Sequence, residues 1–192
     1  MNRFAWIARL ALIATAAAAA PVAAQMPAPA TTAATPPQDQ APPPLEVSVT
    51  GGVSAPMPIA IPAMPTNAVI STPAGTTDDL GRKLSDIVTN DLKNSGLFSP
   101  LSPAQLRSVI FPEVTAPAFD YWNGTGAQAL VQGFIRANGD GTLTVGCYLY
   151  DVFSKIELAR QGFVVPPADW RRAGHKCADM VYTRLTGEGP YF

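Results

Sequence analysis

Three segments rich in strand-forming residues follow one another in the second half of the chain, at residues 129–137, 142–152 and 158–165. The sequence NGDG, which begins at Asn138 and separates the first two segments, is a strong hairpin signal. Strands joined this directly pair with their chain neighbours, so the pattern predicts a meander. In the second segment apolar and polar residues alternate, which predicts that one face of the sheet is covered and the other is partly wet.

A helix that covers this sheet is predicted directly after the third strand. Asp169 is suited to cap its amino terminus and Gly187 to stop it. Between them the apolar residues recur with helical spacing on one stripe, which comprises Trp170, Ala173, Gly174, Cys177, Ala178, Val181 and Leu185. We expect this stripe to pack on the covered face of the sheet.

Another amphipathic helix is predicted earlier in the chain. It follows a cap at residues 76–79, ends at residues 94–96, and carries its apolar face on Leu80, Leu84, Ile87, Val88 and Leu92. Shorter helical turns are predicted at Ser102-Pro103 and around Phe119 and Trp122. The run MPIAIPAMP, from Met57, has the length and isoleucine content of a buried strand, but Pro62 places it at an end or edge of the sheet.

The first 44 residues read as a leader and a spacer. Arg3 and Arg9 flank the start of an apolar run too short to span a membrane, and VAA at residues 22–24 fits a cleavage site. Residues 1–24 therefore predict a signal peptide that is cut after Ala24. The alternative is an anchor that is retained. After cleavage, the mature protein would not span a membrane. Residues 25–44 predict a disordered, Pro/Ala-rich linker, and residues 45–192 the folded domain.

The charge and the residue types of the chain argue against several classes of function. With 13 Lys and Arg against 14 Asp and Glu, the chain lacks the basic face of a nucleic-acid-binding protein. Its single histidine, His175, precedes Asp179 by four residues, which predicts an ion pair on the helix surface. One histidine and two cysteines do not assemble a catalytic or metal site, so we expect no enzyme and no cofactor. The alternatives are a small-ligand-binding α/β domain and a periplasmic hydrolase.

The two cysteines are expected to meet. Cys147 lies on the covered face of the sheet and Cys177 on the helix stripe predicted to cover it. In an exported protein this placement allows a disulfide. Bridging, however, needs Cα atoms within about 7 Å, which is close for a helix packed on a sheet, so we expect both cysteines to be small buried hydrophobic residues and keep the disulfide as the alternative.

Five stretches occur in the order typical of a known family: PIAIP from Pro58, DLKNSGLFSPL from Asp91, GAQALVQG from Gly126, LYDV from Leu149, and WRRAGHKCADMVYTRLTGEGPYF from Trp170. On these stretches residues 45–192 resemble the amino-terminal domain of TolB-like proteins, periplasmic components of the bacterial Tol-Pal envelope system. The resemblance implies an α/β domain with a mixed β-sheet, an antiparallel meander and packed α-helices. It also implies a binding role without catalysis.

The family resemblance further implies partners. In TolB-like proteins the extreme amino-terminal segment engages the carboxy-terminal domain of TolA, and a six-bladed β-propeller that follows binds the lipoprotein Pal. The TolA-engaging segment maps onto Leu45, Glu46, Val47, Ser48, Val49, Thr50 and Gly51. An exposed strand of this kind can add to the edge of a partner's sheet. Here, unlike in the family, the Pro/Ala-rich linker precedes it.

The propeller is the second departure from the family pattern, because family members continue into it past the position of Phe192. We therefore expect a truncated product, the product of a split gene or a fragment, and Pal as a partner only where a propeller is present. Arg171, Arg172 and His175 form a polar face of the closing helix. We expect this face either to be solvated or to contact a following domain.

Overall fold

The structure is a computed structural model that describes residues 55–192. The predicted signal peptide, linker and TolA-engaging segment lie outside the described residues. Strand β1 spans Met57–Ala60, β2 Ser71–Thr72, β3 Gly75–Thr76, β4 Phe98–Pro100, β5 Ala129–Ala137, β6 Leu143–Asp151 and β7 Ile156–Val165. Helix α1 spans Thr77–Asn94, α2 Phe119–Gly124 and α3 Trp170–Thr186.

Five of the strands form one mixed sheet in the order β4-β1-β5-β6-β7. The last three strands are antiparallel, which confirms the meander, whereas β1 is parallel to both β4 and β5. Of the predicted positions for the strand that precedes Pro62, at an end or an edge of the sheet, the edge position is wrong, because β1 lies between β4 and β5. Strand β1 ends at Ala60, so Pro62 lies beyond the ladder and its missing N–H does not prevent β1 from lying inside the sheet.

Helix α1 begins and ends where its local sequence predicts. The Thr76 hydroxyl accepts a hydrogen bond from the backbone N–H of Asp79 at 3.3 Å, and this bond caps the helix. After the last turn Gly96 adopts a φ of +75°, the left-handed conformation in which glycine is unstrained. The leucines of the predicted face are fully buried in the main core.

The main core lies between the sheet and the helices α1 and α3. It contains the predicted inward-facing residues of β6 together with most of the stripe of α3. The opposite face of the sheet is only partly wet, as predicted. Thr144 and Tyr148 are half-buried there, whereas Tyr150 is buried in a second cluster around Trp122. Within residues 55–192, no helix is both long enough and apolar enough to cross a membrane.

Candidate interaction surfaces

The outer face of α3 carries the residues that the sequence singled out for a contact with a following domain. Arg171 is exposed and its guanidinium lies 4.5 Å from the centre of the Trp170 ring, while Arg172 is also exposed. His175 is half-buried at the side of the helix that adjoins α1. Two of the three residues are therefore available to a partner, and the third is engaged within the domain.

His175 pairs with a residue of another helix. Its Nδ1 lies 2.7 Å from the Asp91 Oδ2 on α1, and the Asp91 carboxylate is mostly buried. The predicted pair between His175 and Asp179 is wrong because α1 packs beside α3 and presents Asp91 to the ring. The contact joins the two helices, and it was invisible in the sequence because 84 positions separate the partners.

The Asp179 carboxylate instead bonds to the last two residues of the chain. Its Oδ1 accepts hydrogen bonds from the backbone N–H groups of Tyr191 at 2.7 Å and Phe192 at 2.9 Å. Both rings also contact Tyr182, one stacked and one edge-on. The last residues therefore fold back along α3 after Gly187. In the sequence, the only signal of this role is the helix stop at Gly187.

Cys147 and Cys177 are joined by a disulfide bond in the structure, with their Cα atoms 6.0 Å apart. Both residues are fully buried. The bond links the middle of β6 to the middle of α3, so it fixes the helix that carries the polar face to the sheet beneath it. The expectation that the two cysteines are unbonded is therefore wrong, because α3 packs close enough to β6 to bring the two Cα atoms within bridging range.

The groups with an altered pKa include the bonded pair Arg107 and Glu113, and each change has a local cause. Burial raises the pKa of Tyr150 to about 12, and its hydroxyl donates to the carbonyl of Val114 at 2.8 Å. A hydrogen bond from Arg107 lowers the pKa of Glu113. In residues 55–192 no three His, Cys, Asp or Glu side chains are grouped so that they would hold a metal ion.

The pair formed by Arg107 and Glu113 leads to a prediction. The two side chains bond through both carboxylate oxygens, at 2.9 and 3.0 Å, and are about 30% and 26% exposed. Replacing Glu113 by glutamine should lower the free energy of unfolding by about 1 kcal/mol at neutral pH. Urea unfolding of the two proteins at a series of pH values measures this difference.

The effect of that substitution should depend on pH in one direction. Because the folded state lowers the pKa of Glu113, its contribution is complete above the ordinary value of 4.5 and is lost as the pH falls through the lower folded-state pKa. The two proteins should therefore converge in acid. Glu188→Gln, at an exposed position, is the control and should change little at any pH. A constant difference down to about pH 3 would contradict the prediction.

The described part of the chain begins beside a groove at one end of the sheet. The first described residues, Ala55 and Pro56, line a groove of about 390 Å³ together with Leu97, Phe98 and Leu185. This groove lies beside the start of β1 and the carboxy-terminal end of α3. The segment predicted to engage TolA, residues 45–51, lies outside the described residues and is separated from Ala55 by three residues of sequence.

Comparison with known proteins gives consistent matches. A family model described as the TolB amino-terminal domain matches residues 45–158. The Tol-Pal system protein TolB of Rhizorhabdus wittichii is 69% identical over 148 residues, which cover 77% of this chain and 34% of that protein. The Tol-Pal system protein TolB of Zymomonas mobilis is 67% identical over 148 residues, covering 77% of this chain and 32% of that protein. The chain thus spans about a third of the length of these relatives.

Among solved structures, the crystal structure of TolB from Acinetobacter baumannii superimposes with a TM-score of 0.52 at 27% sequence identity. The match covers 70% of this chain and 29% of the solved one. The mixed sheet and its helices therefore have the architecture of the amino-terminal part of that protein.

Proposed function

Because the chain belongs to the TolB amino-terminal domain family, we propose that it is a non-catalytic protein-binding module of a Tol-Pal envelope system in the periplasm. The observation that carries this proposal is the match of residues 45–158 to the family model, together with relatives named as Tol-Pal components at 69% and 67% identity. In this role the module needs no cofactor. It would support outer-membrane integrity and invagination at cell division.

The partner that we propose is the carboxy-terminal domain of TolA, engaged through residues 45–51. In the sequence LEVSV from Leu45, apolar and polar residues alternate, as in a strand with one face for a partner. An extended segment of this kind gains main-chain hydrogen bonds when it adds to a sheet edge, and its alternate side chains supply specificity. Pal is proposed as a partner only of a propeller following this domain, not of these residues.

The TolA proposal is tested with the full chain and a purified TolA carboxy-terminal domain from the same bacterium. Val47→Pro removes a backbone donor in the middle of the proposed strand and should weaken binding by at least roughly tenfold in calorimetry. Thr35→Pro places the same change in the Pro/Ala-rich linker and should leave the affinity unchanged. Unaltered binding by the Val47 variant, or no binding by the unmodified chain, would refute the proposal.

For the outer face of α3 we propose contact with a domain that follows in the longer relatives. The exposed guanidinium groups of Arg171 and Arg172 support this, because contacts between domains are more polar than cores. His175, held by Asp91, would contribute only its exposed ring edge. In a protein that includes the following domain, Arg172→Glu should uncouple the thermal unfolding of the two domains. Unchanged coupling would eliminate this role.

A further inference from the structure

The two edges of the described sheet differ in how they are protected. At one edge β4 has only three residues and ends at Pro100, which has no N–H to offer. At the other edge β7 has ten residues, pairs with β6 alone among the described strands, and buries only Phe163. Strand β7 therefore presents a long row of backbone groups on its free side.

Protection of β7 is confined to its first half. The register with β6 is interrupted between Leu149 and Tyr150, and the charged residues Glu157 and Arg160 form an ion pair at 3.5 Å. Irregularities and charges of this kind discourage pairing with other strands. Residues 161–165 carry no charge and continue in regular register with β6, and Val164 is 67% exposed. Within residues 55–192, the second half of β7 is therefore an unguarded edge.

Beside this edge lies a groove of about 660 Å³, here called the β7–α3 groove. Ala159, Gln161 and Phe163 form its floor, and Lys176, Met180 and Arg184 of α3 form its wall. The floor and wall thus combine apolar surface from Phe163 and Met180 with two cationic groups. A strand added to β7 would place alternate side chains over this groove.

The charge of the groove is positive. The Lys176 Nζ lies 5.7 Å from the centre of the Phe163 ring, and the Arg184 Nε donates to the carbonyl of Leu158 at 2.9 Å. Within the described residues neither cation forms an ion pair. The one carboxylate in the lining belongs to Asp179, whose Oδ1 already accepts two backbone hydrogen bonds from the end of the chain. The groove is therefore complementary to anionic side chains.

We infer that the second half of β7 and the β7–α3 groove bind an extended, acidic segment of a partner protein by strand addition. The free backbone groups require an extended ligand, and the apolar floor accepts one side chain in two. Lys176 and Arg184 line the same groove, so they select for carboxylates among the side chains that face it, whereas the remaining side chains point to the opposite face of the sheet. A second copy of this chain fits less well, because two identical edges would bring the same cations together.

The lining of this site contains none of residues 45–51, so the two proposals are tested on different residues. Binding is measured with the complete 192-residue chain and fluorescein-labelled peptides of about eight residues. One peptide alternates valine with glutamate and the other alternates valine with lysine. We expect the glutamate peptide to raise the fluorescence anisotropy, the lysine peptide not to, and hydrogen exchange to slow at residues 161–165 when the glutamate peptide is bound.

A charge-reversed variant locates the site. Lys176→Glu combined with Arg184→Glu should lower the affinity for the glutamate peptide by roughly tenfold and leave the affinity for TolA unchanged. The control, Lys93→Glu combined with Arg136→Glu, makes the same change in net charge at exposed positions on α1 and β5 and should alter the affinity less than twofold.

Several outcomes would overturn the inference. One is that the two peptides bind with equal affinity, and another is that neither binds. A third is that the control variant lowers the affinity for the glutamate peptide as much as the Lys176 and Arg184 variant does. Slowed exchange away from β7 would place the peptide elsewhere, and this measurement on the unmodified chain does not depend on the folding of any variant. Protection of residues 161–165 that grows with protein concentration alone would assign the edge to a second copy. Protection that disappears when residues 25–54 are removed would assign it to the chain's own amino-terminal region.

Discussion

Replacing Gly81 by alanine should lower the free energy of unfolding by about 3 kcal/mol, although the same change in an open helix is stabilising by about 1 kcal/mol. Gly81 is a buried residue in the second turn of α1. A Cβ atom built on it would lie 2.0 Å from the carbonyl oxygen of Met64. This distance is far inside van der Waals contact, and the neighbour is backbone, so the clash forces the helix and the 62–64 segment apart.

Relief of the clash would break a set of hydrogen bonds around Ser85. Its hydroxyl accepts from the N–H of Met64 and lies within 3.0 to 3.1 Å of the carbonyl oxygens of Pro62 and Gly81. Moving the segment away from α1 would leave buried backbone groups without partners, which costs about 1–3 kcal/mol for each group. Moving Met64 away from α1 therefore costs free energy through the loss of these hydrogen bonds.

Equilibrium urea unfolding compares the Gly81→Ala protein with a matched control. Gly124→Ala makes the same substitution in α2, where the added Cβ would meet no atom within 4 Å, and it should be neutral or slightly stabilising. Equal midpoints for the Gly81 variant and the unmodified protein would show that the close approach of α1 to Met64 is not present in solution.

Removal of the disulfide is the second change expected to have a large effect. Replacing Cys147 and Cys177 by alanine should lower the free energy of unfolding by about 3 kcal/mol, because the bond closes a loop with a sequence separation of 30 and restricts the unfolded chain. Both sulfur atoms lie in the main core, so the substitution also removes packed volume between β6 and α3.

The chain supplies its own control for this experiment, since it has two cysteines in total. A reducing agent should destabilise the unmodified protein by a similar amount and should not affect the double-alanine protein. A thiol assay under denaturing conditions should find no free thiol before reduction. Two free thiols in the untreated protein, or an unfolding midpoint that reduction leaves unchanged, would contradict the expected bond.

Local patterns predicted much of the fold because their causes are local. The cap at Thr76 and the left-handed Gly96 involve contacts within a few residues, and the turn at Asn138 dictates which strands pair. The polar face with Arg171 and Arg172 follows from the 3.6-residue period of α3. These are the elements for which sequence spacing and spatial proximity coincide.

Contacts between distant residues were decided by packing. The sequence contains the same residues whether His175 faces Asp179 or Asp91, and only the placement of α1 beside α3 brings Asp91 to 2.7 Å. Likewise, nothing local places β1 between β4 and β5, because parallel neighbours are joined through long connections whose route depends on the whole core.

By itself, then, the sequence determined the helices, the meander and the family to which the chain belongs. The tertiary structure alone decided which edge of the sheet the described residues leave open and which charges surround it. The unguarded half of β7 acquires the cations Lys176 and Arg184 only because the disulfide and the main core hold α3 across the sheet. The physical reason is that periodicity records the preferences of neighbouring residues, whereas a surface combines side chains from elements that meet only after the core has formed.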